Sequence, residues 1–429
     1  AVYKGMLKFL SEFYGKPYAV QPLPVNSLAV TFGDGGRSAL ISWKPTEDRL
    51  EPTAAPTGYI LYTRRNDGVF DDGKIVQASA GADGKLCFKA DITPGHIYSF
   101  KVAAFNEGGR SFPSETVCLG MPGNAKPHTV MVVNDFDRIS APAWFDTPEY
   151  AGFQGRLDSG GGYMSDLWYI GEDYQPRRDL KWISNDNPGF GATRSDKAGM
   201  VVAGNTFDFA YVHGKALMAA GYPFFSVSRD AWTAEPSLSG KAFAMDLICG
   251  KQATTRMGKG LVEQRYSVFP AGLQSVIKSF AEAGGHIIVS GAYIATDVWD
   301  KVFPVELNMS ERSACQTFVT SVLGYGWGTS FGSDSGRLVK AKGAAFNACA
   351  GTDELCFWNT LNEECYCIEN PDGLKPAAKE STALLKYEDT GICAAVCYSP
   401  GKYKAVSFGF PLETLKDPYA IERILDSTL

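Results

Sequence analysis

The run Ile92-Thr93-Pro94-Gly95-His96-Ile97-Tyr98-Ser99-Phe100-Lys101-Val102-Ala103-Ala104-Phe105-Asn106-Glu107-Gly108-Gly109-Arg110-Ser111 decides how the first part of this chain is read. It holds a strand, Ile97–Phe105, between the turn signals Pro94-Gly95 and Gly108-Gly109. Working outward, short alternating runs recur at Ser27–Phe32, Ala39–Trp43, Gly58–Thr63 and Lys85–Ala90. Turn signals separate them at intervals of roughly 8–12 residues, the spacing of an antiparallel sandwich. The sandwich is therefore predicted from Asn26 to about Met121. Gly33-Asp34-Gly35-Gly36 joins the first two strands as a hairpin, since glycine takes positive φ at no steric cost.

Trp43, in Ala39-Leu40-Ile41-Ser42-Trp43, falls where fibronectin type III modules carry a core tryptophan. The quoted run resembles the penultimate strand of that family. The resemblance covers residues 23–122 and implies an immunoglobulin-like β-sandwich that acts as a spacer or adhesion module without chemistry of its own. Tyr98 is expected to bury its ring while its hydroxyl finds a backbone partner. Ahead of it, residues 1–22 read as a short helix and linker: Tyr3-Lys4-Gly5-Met6-Leu7-Lys8-Phe9-Leu10 is apolar at helical spacing, and Gly15-Lys16-Pro17 breaks it.

After the linker Met121-Pro122-Gly123-Asn124-Ala125-Lys126-Pro127 the period changes. Thr129–Val133, Phe224–Val227, Ala242–Cys249 and His286–Ser290 are continuous apolar runs. Phe269–Ala283 has helical spacing at Leu273, Val276, Ile277 and Phe280, and Gly284-Gly285 ends it. Apolar strands alternating with helices predict an α/β domain over 128–429, its parallel sheet covered on both faces. Ala383–Tyr387, Ile392–Tyr398 and Tyr403–Phe408 read as a three-strand meander, and Tyr419–Leu425 as a last helix. Residues 135–200 form an aromatic-rich excursion, far longer than an ordinary connection of about 4–6 residues.

Composition narrows the function classes. The 429 residues are 45% hydrophobic and 21% charged, which suits a globular chain of several domains. Lys+Arg 41 against Asp+Glu 47 gives a net charge of −6 with no basic stripe, so nucleic acid is not an expected partner. No apolar run reaches the roughly 18–20 residues of a membrane span. The start, Ala1-Val2-Tyr3-Lys4, has neither an initiator Met nor a signal pattern and reads as trimmed. Ten Cys are too few for a disulfide scaffold, and four scattered His with no C-x-x-C pair give no zinc site. Neither metal nor cofactor is expected.

In an open α/β sheet, ligands sit beyond the carboxyl ends of the strands. Those ends read Asn134-Asp135-Phe136-Asp137-Arg138, Ser228-Arg229-Asp230, Gly250-Lys251-Gln252 and Ser290-Gly291-Ala292-Tyr293. Between the first two lies Gly204-Asn205-Thr206-Phe207-Asp208-Phe209-Ala210-Tyr211-Val212-His213-Gly214, where Asp208 and His213 would pair as base and orienter. Asn205 or Asp208 capping a helix, with His213 packed inside, is the other reading. Asp208, His213, Asp137 and Ser290 are thus the candidate catalytic residues. Candidate binding residues are Asn134, Arg138, Asn205, Lys251, Gln252 and Tyr293, joined by Trp144 and Trp168 of the excursion. Flat aromatic faces stack on sugar rings, so a glycan or peptidoglycan fragment is the expected ligand if the excursion forms a groove; a mini-core packed on the sheet edge is the alternative.

The strand-turn-helix Ile287-Ile288-Val289-Ser290-Gly291-Ala292-Tyr293-Ile294-Ala295 resembles the nucleophile turn of class I glutamine amidotransferase-like domains, a three-layer flavodoxin-like fold. That family places Cys where Tyr293 stands. Phe408-Gly409-Phe410-Pro411-Leu412-Glu413 is similar to its final strand and His-Pro-Glu, with Phe410 in place of His. The resemblance thus implies the fold without the thiolate and its base. Taken whole, the order of helix, fibronectin module and such a domain resembles secreted bacterial envelope proteins labelled N-acetylmuramoyl-L-alanine amidases or xanthan lyases. Tyr3-Lys4-Gly5-Met6-Leu7-Lys8-Phe9 is similar to the final helix of the zinc amidase domain that precedes this arrangement, which implies an upstream hydrolase domain as partner and a secreted, periplasmic or cell-surface location. Two functions follow: an accessory module that binds glycan or braces a hydrolase, or a hydrolase acting on an envelope polymer.

Overall fold

The computed structural model describes residues 2–81, 84–136, 144–146, 148–149, 151–153, 169–170, 173–174, 178–184, 189–190, 193–194, 201–202, 208–257, 262–302, 305, 308–344, 346, 355–360, 362 and 364–429. Two compact units divide the chain, one of Ala1–Val133 with Ala210–Lys241 and one of Asn134–Phe209 with Ala242–Leu429.

The first unit opens with α1 (Val2–Tyr14), which buries none of its residues. The sandwich follows. One sheet joins β1 (Asn26–Gly33), β2 (Ser38–Lys44), β6 (Leu86–Asp91) and β5 (Ser79–Ala80). The other joins β4 (Lys74–Val76), β3 (Gly58–Arg65) and β7 (Ile97–Asn106), with β8 (Gly109–Arg110) and β9 (Val117–Gly120) on β7. This is the fibronectin III-like arrangement. Alternation makes the core: Ala39, Ile41 and Trp43 of β2 are fully buried, whereas Leu40 on the other face is exposed. Trp43 meets Tyr59 edge-on at 5.4 Å. The Thr93 backbone N–H donates to the Tyr98 hydroxyl at 3.2 Å, the backbone partner expected for that phenol. Gly35 and Gly36 turn between β1 and β2 at φ +63° and +90°.

After β10 (Val130–Asn134), the described residues of the excursion form three short antiparallel pairs. These are β11 (Trp144–Asp146) with β12 (Ala151–Phe153), β13 (Tyr169–Ile170) with β16 (Val201–Val202), and β14 (Asp173–Tyr174) with β15 (Thr193–Arg194). The first unit resumes with α2 (Phe209–Ala219), β17 (Phe224–Ser228) and α3 (Arg229–Ala234). The sequence reading grouped Phe224–Val227 with the parallel strands; β17 shares its sheet with β10, and the Val130 N–H bonds the Pro223 carbonyl at 2.9 Å. β17 runs antiparallel to β9, with Phe224 opposite Gly120, and antiparallel to β1, with Ala29 opposite Val227. A strand buried on both faces fits any sheet that offers a free edge, and both β1 and β9 offer one. Tyr211 of α2 hydrogen-bonds Asp67, and Arg64 lies 4.7 Å from the Phe70 ring and 4.4 Å from the Tyr211 ring.

The second unit centres on β18 (Ala244–Gly250), followed by the hairpin of β19 (Thr255–Met257) and β20 (Val262–Arg265), then α4 (Ala271–Glu282) and β21 (His286–Gly291). Beyond it come α5 (Thr296–Trp299), α6 (Met309–Phe318), β22 (Tyr325–Thr329), β23 (Arg337–Lys340) and β24 (Leu355–Cys356). The chain ends through β25 (Gly373–Pro376), β26 (Ser381–Tyr387), β27 (Cys393–Tyr398), β28 (Ala405–Phe408) and α7 (Pro418–Thr428). β18, β21 and β28 run parallel, with Asp246 opposite Ile288 and Ile288 opposite Val406. β26, β27 and β28 form the antiparallel meander. α4 buries Leu273, Val276, Ile277 and Phe280, the residues its spacing singled out.

Candidate functional site

Three parallel strands bring their carboxyl ends to one edge of the second unit, and the turns that follow them are crowded. Gly250, at φ +49°, lets β18 turn; a side chain there would meet the Phe136 ring at 3.0 Å. Gly291 ends β21, where a Cβ would lie 2.7 Å from that of Cys249. Glycine is thus required for the two strand ends to approach. Gly409 follows β28, and a Cβ on it would lie 2.2 Å from the Asp372 carbonyl oxygen.

Buried ionisable groups fill the same region. Asp135, Asp246, Asp297, Asp372 and Glu413 are all buried, as are Lys251 and Gln252. Charges taken out of water need partners. Lys251 Nζ pairs with Glu369 Oε2 at 2.8 Å. Asp297 accepts from the Thr254 N–H at 2.8 Å and hydroxyl at 2.9 Å. Glu413 Oε1 accepts from the Tyr366 hydroxyl at 2.6 Å. Asp372 accepts from the Ala295 N–H at 2.5 Å, the Thr296 N–H at 3.1 Å, and the Thr296 hydroxyl. Its burial is complete enough to push its carboxyl up to about 7 despite those donors.

Cys249 stands at the end of β18, 1% exposed. Burial, then the charges of Asp135, Glu413 and Asp246, raise its thiol well above the ordinary range. An acidic, dry setting is the reverse of what generates a thiolate. Tyr293 is 2% exposed, and Phe410 stacks on Phe357 at 5.3 Å. The corner therefore holds packed aromatics.

The paired ends of β18 and β21 bring four of the residues singled out from sequence into one region. Ser290, Tyr293, Lys251 and Gln252 belong to the ends of β18 and β21, all buried. His213 lies on α2 and is 0% exposed, as is Ser290. Asp208 is half-buried just ahead of α2, and Asn134 is half-buried at the end of β10. Asp137, Arg138, Asn205 and Trp168 lie outside the described residues, and of Trp144 only its place in β11 is described. Sequence reasoning passed over Asp372, Tyr366 and Glu369. They follow no motif and come from a connection between β24 and β25, so periodicity carried no signal for them. Among the described residues no three His, Cys, Asp or Glu side chains gather as a metal centre.

No family model matches the chain, and no curated protein does. Among solved structures the chain is similar to the fourth fibronectin III domain of a human protein, at 21% identity over 25% of this chain and 84% of that one, TM-score 0.20. The third fibronectin III domain of another human protein matches at 16% identity over 26% and 90%, TM-score 0.20. The twitchin kinase region of C. elegans matches at 17% identity over 30% and 27%, TM-score 0.19.

The excursion shows a different surface. Trp182 is 65% exposed and Phe190 47% exposed, and the Phe190 N–H bonds the Leu180 carbonyl at 3.0 Å. Arg178 sits 5.8 Å from the Phe190 ring. No helix of the described residues is long and apolar enough to cross a membrane.

Proposed function

We propose that this chain is an accessory, non-catalytic module of a secreted or cell-surface protein that degrades an envelope polymer. It binds peptidoglycan or polysaccharide, or braces a hydrolase domain. The observation that carries the reading is that Tyr293 and Phe410, which the resemblance to amidotransferase-like domains aligns with thiol and imidazole, are both buried. The protonated thiol of Cys249 adds no nucleophile. Recognition is supported by exposed Trp182 and Phe190 on the excursion, whose flat faces suit sugar rings. A hydrolytic reading through Asp208, His213, Asp137 and Ser290 draws less support, because His213 and Ser290 are shut away from water.

The test incubates the full chain with purified peptidoglycan and with acidic polysaccharide, following co-sedimentation and the release of reducing ends or free amines. Binding without release is the expected result, weakened by Trp182→Ala. Release of fragments that the chain catalyses would overturn the reading.

A further inference from the structure

Within the first unit, the outer face of β1, β2 and β6 is covered by α3 and the turn after it, and a cavity of about 330 Å³ remains between them. The pairing register explains what lines it. Ala29, Ser42 and Cys87 stand opposite one another across the three strands and make a floor of small side chains. Lys44 ends β2 on the same face, Lys85 immediately precedes β6, and both line the cavity. Like charges on neighbouring strands repel. Only one is offset: Lys85 pairs with Glu235 of the wall, whereas no carboxylate among the described residues pairs with Lys44. Ser42 lines the cavity and is only 7% exposed.

The rim is rigid. Ser27 sits at φ +52°, a conformation that costs a non-glycine residue of order 1 kcal/mol or more. The irregular register between Asn26 and Ala29 forces it, and the Ser27 hydroxyl is held by Asn26 Oδ1 at 2.9 Å while Asn26 Nδ2 is held by Thr46 at 2.9 Å. Strain fixed in this way is characteristic of binding sites.

We propose that this cavity binds a small hydroxylated carboxylate, of the size and chemistry of one uronic acid residue. Lys44 takes the carboxylate. Ser42 and Glu235 take hydroxyls, and Ala231, Ala234 and Leu238 face the ring's apolar side. The volume lies at the lower end of small-molecule sites, roughly 300–1,000 Å³, which suits one ring. This inference stands on the sandwich unit alone and does not depend on the proposed function.

Calorimetric titration of the full chain with glucuronate, glucose and inorganic phosphate tests it. Glucuronate is expected to bind at least about tenfold more tightly than glucose or phosphate, and Lys44→Gln to remove that preference. A second readout needs no variant: glucuronate, and not glucose, should slow alkylation of Cys87 in the wild-type chain. No heat with glucuronate, equal affinity for phosphate or glucose, undiminished binding by a folded Lys44→Gln chain, or unaltered Cys87 alkylation would each overturn the assignment.

Discussion

Asp372 grips Thr296 twice, accepting from its backbone N–H at 3.1 Å and from its hydroxyl, and so fixes the first turn of α5 to the residue just ahead of β25. The grip is sensitive to pH. A carboxyl raised from 3.8 to about 7 keeps its proton in the folded chain where the unfolded chain has released it. The folded state then binds more protons, so this contribution to stability is present at low pH and is lost as pH rises from about 4 to about 7. Asp372→Asn is expected to flatten that slope in urea unfolding followed across the range. Asp372→Ala, which leaves two buried N–H groups unsatisfied, should lower stability by about 2–4 kcal/mol.

Cys249 is expected to be inert. With its thiol raised by burial and by neighbouring acids, iodoacetamide at pH 8 should leave it unmodified in the native chain and alkylate it after denaturation. Peptide mass spectrometry reads the difference. Rapid native labelling would mean that the corner opens to solvent.

Tyr366→Phe removes the hydroxyl that donates to Glu413 at 2.6 Å and keeps the ring, which packs edge-on against Phe209 at 5.2 Å. The cost is expected at about 1–3 kcal/mol, the penalty for withdrawing a donor from a buried carboxylate. Denaturant midpoints compared at constant slope measure it.

Gly214→Ala sets two effects against each other. Alanine favours a helix interior over glycine by up to about 1 kcal/mol. Its methyl would, however, lie 2.1 Å from the ring of Phe224, a rigid group fully buried in β17. Overpacking of this kind costs about 1–3 kcal/mol, so the substitution should destabilise the first unit. A stabilised variant would show that β17 moves freely against α2.

The sandwich was legible because alternation, turns and Trp43 all point to one arrangement, although β2 pairs with β6 and β3 with β7 far along the chain. The parallel strands at 244–250 and 286–291 were legible as apolar runs, the strand at 405–408 as the last of a meander, and α4 from its spacing. The antiparallel contacts of Phe224–Ser228 with β1 and β9 were not, since an all-apolar strand carries no mark of which edge it joins. The acidic corner was half legible. Strand ends located Lys251, Gln252 and Tyr293, but Asp372, Glu369 and Tyr366 reach it from an irregular connection whose path no local pattern encodes. Asp208 and His213 were legible as neighbours in sequence, but not that α2 buries the imidazole completely.

The antiparallel seat of β17 between β1 and β9 means that the sandwich is not finished when its own last strand has been made. During synthesis two unpaired strand margins must wait for Phe224–Ser228 to emerge. A fragment cut at the linker would keep them bare, inviting association with other copies, so the module is better isolated together with the later segment that seals it.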